Sequence, residues 1–153
     1  MNASSLPDVP DFVALHQGFT TLTPGQKADL RRVAEPDDLL MTPALYRLFP
    51  GQRPNAQHLR LAFLLPWCDH AAHSQPLARQ LPERNVTEMR VIQIARAEPD
   101  ADVIQLRRLV MHIKPTVDWN EFGKTLWFWG AHSKRKFVED FYLAQYATSK
   151  GKH

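Results

Sequence analysis

The stretch 102–142, DVIQLRRLVMHIKPTVDWNEFGKTLWFWGAHSKRKFVEDFY, decides the fold. At about 100° per residue, Val103, Leu106, Leu109, Val110 and Ile113 share one broad apolar face, which predicts an amphipathic helix. Lys114-Pro115 ends it, because the residue before a proline is steered away from helical backbone. Asp118 then reads as the N-cap of WNEFGKTLWFWG, and Ser133 as the N-cap of a last helix through about Ala147. Trp119, Phe122, Leu126 and Trp129 recur at 3-4-3 spacing, the pattern of a buried face. These aromatics are therefore read as core rather than as a base-stacking platform, with Trp127 or Phe128 as the exposed exceptions.

Working outward, the same punctuation recurs upstream. A first helix starts near Pro10-Asp11 and ends around Gly18. Thr23-Pro24-Gly25-Gln26 supplies an N-cap, a proline at the first helical position and a glutamine placed to close a capping box. Glu35-Pro36 breaks that helix, and Asp37 and Asp38 sit in the first turn of a short successor, where the helix dipole favours carboxylates. Thr42-Pro43 opens ALYRLF, Asn55 caps AQHLRLAFLLPW, and residues 66–76 read as loop. LARQL is a short helix, and Thr87 begins EMRVIQIARA. No period-2 alternation bounded by hairpin turns is visible. The expectation is an all-α fold, a compact bundle of about eight or nine mostly short helices forming a single domain over 1–153, with residues 1–7 and 148–153 mobile.

Bulk properties narrow the class. A hydrophobic fraction of 44% with 23% charged residues is that of a globular protein. The net charge of +3 and pI of about 9.2 lean basic without deciding anything, so placement of the charge matters. The single Cys68 leaves no internal disulfide and suits a reducing cytoplasm. No apolar run approaches the roughly 20 residues of a membrane span. The start MNASSLPDVPDF lacks the charged-then-apolar pattern of a signal peptide. A cytoplasmic protein with no membrane partner is expected.

Enzymatic signatures are missing: no phosphate-cradling glycine loop, no HExxH, no GxSxG. Cys68, His70 and His73 lie within six residues. A structural zinc site needs four closed ligands and no second Cys/His pair exists, so a solvated loop without metal is expected. No other cofactor is implied. Dispersed arginines, among them Arg31, Arg32, Arg47, Arg53, Arg79, Arg90, Arg96, Arg107 and Arg108, point to contact with nucleic-acid backbone, solvated faces being the plain alternative. Arg107 is unusual because it falls inside the apolar arc of its helix. It is either buried beside a carboxylate or reaches through a helix–helix groove to a phosphate or partner subunit. In Lys134-Arg135-Lys136, the last two have Glu139 and Asp140 four residues on, whereas Lys134 has no carboxylate at that spacing.

Three blocks together resemble the CasB family, the small subunits of the type I-E CRISPR surveillance complex Cascade. They are LRRVAEPDDLLMTPALYRLF (30–49), RVIQIARAEPDADVIQLRRLVMH (90–112) and DWNEFGKTLWFWG with FVEDFY (118–142). Residues 50–75 carry no family motif. The resemblance implies a non-enzymatic helical subunit with these partners: a CasC-type backbone, the large subunit, a second copy of itself, guide RNA and the displaced single-stranded DNA. It places Arg31, Arg32, Arg47, Arg107 and Arg108 on motif positions, Lys134 where a basic residue is common, and Arg79 in a looser match, all as nucleic-acid contacts. The rival is a stand-alone helical DNA-binding regulator using Val103–Ile113 as a recognition helix. A metal-dependent nuclease would need a carboxylate cluster that the sequence does not display.

Overall fold

The structure is a computed structural model that describes residues 9–151, with side chains through residue 147. The expected mobility of residues 1–7 and 152–153 falls outside the described residues. Among the described residues nine α-helices run in chain order: α1 Phe12–Thr20, α2 Pro24–Arg32, α3 Pro43–Leu48, α4 Ala56–Leu64, α5 Leu77–Gln80, α6 Glu88–Arg96, α7 Ala101–Ile113, α8 Trp119–Trp127 and α9 Ala131–Gly151. Short 3₁₀ segments at Pro36–Met41, Leu65–Trp67 and Pro82–Arg84 connect them. The fold is all-α, as expected.

Most starts follow the local chemistry. The Asp11 carboxylate accepts from Ala14 N at 3.1 Å. Thr23 and Gln26 close a reciprocal capping box, Thr23 Oγ1 accepting from Gln26 N at 3.1 Å and Gln26 Oε1 accepting from Thr23 N at 2.9 Å. Asn55 Oδ1 accepts from Gln57 N and His58 N at 2.9 and 3.1 Å. Lys114 ends α7 in the left-handed region at φ 47°.

Four details depart from expectation. Ser133 is not the N-cap of α9 but lies inside its first turn. Its hydroxyl accepts from Gly130 N at 3.0 Å and donates to Phe128 O at 2.7 Å, so it ties the α8–α9 corner instead. The last helix runs to Gly151, four residues past the expected end. Residues 66–76 are not all loop. Asp69–His70 (β1) pairs in parallel with Thr116–Val117 (β2), Asp69 N donating to Pro115 O at 3.1 Å and Ala71 N to Val117 O at 3.0 Å. Two residues per strand are too few to show alternation, so no periodicity could reveal them. Finally, Phe128 is exposed as allowed for, but Trp127 is buried.

One contiguous apolar cluster joins residues from α1 through α9, with Trp119, Phe63 and Phe141 its largest fully enclosed side chains. The apolar face of α7 forms its middle: Val103, Leu106, Leu109, Val110 and Ile113 are all buried. Gly123 allows α8 to lie directly on α1, since a Cβ there would stand only 2.3 Å from Phe12 Cγ. Arginines close two helix ends from outside: Arg60 donates to Leu126 O, the last turn of α8, at 2.5 Å, and Arg84 donates to Ile113 O at the end of α7.

Candidate nucleic-acid interface

The paired arginines of α7 point to opposite sides of that helix. Arg107 is buried among α2, α4 and α7: its guanidinium lies 4.0 Å from the Phe63 ring centroid and 6.0 Å from that of Trp67. Its Nη2 donates to Val33 O at 2.6 Å, while Nη1 is buried with no hydrogen-bond partner. Burial, and then the neighbouring Arg108 charge, pull its pKa down. Neither the expected carboxylate nor an open groove meets it. A carbonyl and two aromatic faces hold it, the stacked geometry that a planar guanidinium favours.

Lys134 is the second inward cation. Local spacing leaves it unpaired, yet in three dimensions its Nζ sits 2.6 Å from Asp102 Oδ2 and donates to Ala97 O at 2.9 Å. Asp102 is itself buried and also accepts from Trp129 Nε1 at 3.0 Å. This knot fastens the start of α9 to the start of α7 and the end of α6. A partner 32 positions away in sequence is invisible to helical spacing.

Arg32, Arg79 and Lys136 hold carboxylate partners, half-exposed Asp29 for the first and buried Asp140 for the other two. Arg32 pairs with Asp29, Lys136 with Asp140 at 3.2 Å, and Arg79 approaches Asp140 at 3.8 Å. The Arg32–Asp29 pair, open to solvent on both sides, is weak and exchangeable. Arg31 lies over the Phe19 and Trp67 rings at 6.0 and 5.9 Å, and Arg47 is exposed in the last turn of α3.

Unpaired guanidinium charge gathers on the far side of α7. Arg108 opens onto a groove of about 1200 Å³ between α6, α7 and the Tyr142 turn of α9. Arg90 and Arg96 line the same groove with Gln93 and Gln105, and Glu88 is its one carboxylate among the described residues. No ion pair engages Arg90, Arg96 or Arg108 among the described residues. Arg90 and Arg96 stand among the dispersed arginines of the sequence but not on the motif positions taken as nucleic-acid contacts. Their signal was present, since Arg90, Gln93 and Arg96 are three apart on the polar side of an amphipathic helix, opposite Gln105 and Arg108, also three apart. The groove thus combines three free planar cations with amide donors, a set suited to phosphate oxygens. The sequence-derived residues do not converge: Arg108 lies here, Arg31 with inward Arg107 on the Trp67 side, and Arg79 over α9.

Cys68, His70 and His73 turn to different tasks. The Cys68 thiol is buried and its pKa is raised by that burial. His70 Nδ1 accepts from Trp119 N at 3.0 Å, and His73 N donates to Asp118 Oδ2 at 3.0 Å. Among the described residues no three His, Cys, Asp or Glu side chains are placed to share a metal ion. No helix among them is long and apolar enough to cross a membrane.

The chain is thus basic and all-helical, with three unpaired arginines of α6 and α7 on one groove. A family profile for CRISPR-associated protein Cse2 matches residues 26–142. The chain is 34% identical over 154 residues to the CRISPR system Cascade subunit CasB of Escherichia coli strain K12, covering 90% of this chain and 96% of that one. It superposes with a TM-score of 0.79 and 35% identity on a chain in the crystal structure of E. coli Cascade bound to a PAM-containing dsDNA target, covering 88% of this chain and 97% of that chain. The chain belongs to the Cse2 (CasB) family.

Proposed function

We propose that this protein is a non-enzymatic small subunit of a type I-E CRISPR Cascade complex. In that role it holds nucleic-acid backbone without reading sequence, stabilising the guide RNA–target R-loop and the displaced DNA strand. The observation that carries the proposal is the groove with Arg90, Arg96 and Arg108 unpaired, in a chain 34% identical to a Cascade subunit. Exchange of a DNA duplex for an RNA–DNA heteroduplex is nearly balanced energetically, so a few phosphate contacts to the ejected strand tip it forward. Base readout is unnecessary because the guide supplies specificity.

The cations divide the work by their surroundings. Arg31, Arg47 and Arg108 make direct phosphate contacts, Arg32 exchanges its half-exposed partner Asp29 for phosphate, and Arg79 turns its half-exposed guanidinium from the long 3.8 Å approach to Asp140. Arg107 and Lys134 act from within, fixing the helices that present the others. The partners are the CasC-type backbone, the large subunit, a second copy, guide RNA and displaced single-stranded DNA. The regulator alternative is not favoured, because the chain is 34% identical to a Cascade subunit over 90% of its length.

Co-expression with the other Cascade subunits and a guide RNA tests this directly. The chain is expected to co-purify with them, and complex lacking it to form shorter-lived R-loops. A chain that never joins the complex, or binds one duplex sequence at least tenfold better than scrambled DNA, would overturn the proposal.

A further inference from the structure

The arginine groove has an aromatic end. Tyr142 lines it, and the Tyr142 ring lies parallel to that of Tyr146 one turn along α9, with centroids 6.0 Å apart and an 11° interplanar angle. The Glu88 carboxylate faces the Tyr142 hydroxyl from the other wall of the groove and raises its pKa. Tyr146 is 60% exposed, a large open ring that no core contact requires. Met89, 70% exposed, lines the same groove.

We infer that Tyr142 and Tyr146 form a base-stacking platform, so that the groove seats a single strand with at least one unstacked base rather than a duplex. Three guanidiniums grip successive phosphates, and the base between them lies on the outer face of Tyr146. A stacked aromatic pair loses little freedom on accepting a base, and every base has a face to offer, so the platform is indifferent to sequence. In a duplex the bases are already stacked on one another and cannot reach the ring. An acidic partner segment would also suit the arginines, but it would leave parallel tyrosine rings without a task.

This inference rests on the nucleic-acid reading of the groove, and the test separates the two. Binding of the full-length chain to three labelled probes of equal length is measured at low salt: a mixed-sequence single strand, the same strand with consecutive abasic sites, and its duplex. Tyr146→Ala is expected to weaken the intact single strand about tenfold and to leave the abasic strand and duplex unchanged. Tyr146→Phe is expected to keep wild-type affinity. The Arg90→Gln, Arg96→Gln, Arg108→Gln triple variant is expected to weaken all three probes alike. If the triple variant weakens binding while Tyr146→Ala does not discriminate intact from abasic strand, the platform is wrong and the groove reading stands. If the wild-type chain binds no probe, or the triple variant binds as wild type, the groove reading itself fails. Loss of co-purification with other subunits in Tyr146→Ala, with strand binding unchanged, would reassign the patch to a protein partner.

Discussion

Arg107 and Arg108 are neighbours in the chain with opposite surroundings, and substitution should separate them. Arg107→Ala removes the Phe63 stack and leaves the Val33 carbonyl without its donor, a loss of about 1–3 kcal/mol of stability. Arg108→Ala removes an exposed side chain and should change stability by no more than about 0.5 kcal/mol, while weakening strand binding. Thermal unfolding of both variants, with binding to reconstituted complex, checks this. Equal melting temperatures would contradict the placement of Arg107. Two histidines make a second prediction. Burial pulls the pKa of His16 below 6.5, helped by the His70 charge and opposed by Asp69 and a hydrogen bond to the Cys68 backbone. Burial alone does the same for His58, whose Nδ1 accepts from Asn55 N. A base with a lowered folded pKa takes its proton more readily when unfolded. Stability should therefore hold above pH 6.5 and fall as pH drops through it, by at most about 1.4 kcal/mol per unit for each group. Urea unfolding at pH 7.5 and 5.5 should show the drop, and it should shrink in His58→Gln.

At the scale of elements, the joint between α6, α7 and α9 rests on the buried Lys134–Asp102 pair. Lys134→Met strands the Asp102 carboxylate with Trp129 Nε1 and Val103 N as donors but no cation, a cost of about 3 kcal/mol. Lys134→Met combined with Asp102→Leu should recover most of it, because neither charge then stays buried alone. A double-mutant cycle by chemical denaturation measures the coupling. The same joint shows where sequence stops being informative. Caps, prolines and the 3.6-residue period lie within one turn of each other, so Asp11, Thr23, Asn55, Thr87 and Asp118 all announced their helices. Asp102 and Lys134, Arg107 and Val33, and the two residues of β1 with those of β2 are joined across the fold, and nothing local marks such pairs. Ser133 looked like an N-cap because a hydroxyl before a polar run serves equally well inside the first turn. The groove was half legible: Arg108 came from the family motif, whereas Arg90 and Arg96 needed α6 to be laid against α7.

At the scale of the whole molecule, inward cations brace the helices, whereas Arg90, Arg96 and Arg108 carry no ion pair among the described residues. The central claim is that the unpaired set in the α6–α7–α9 groove holds the displaced strand. It is tested most directly by the salt dependence of displaced-strand capture by reconstituted Cascade. Complex carrying the wild-type chain is compared with complex carrying the Arg90→Gln, Arg96→Gln, Arg108→Gln variant at equal subunit content. Each lost single-strand phosphate contact lowers the log–log slope by about 0.7, so the variant should bind more weakly with a slope shallower by about two. An unchanged slope and an unchanged R-loop lifetime in the variant complex would contradict the account.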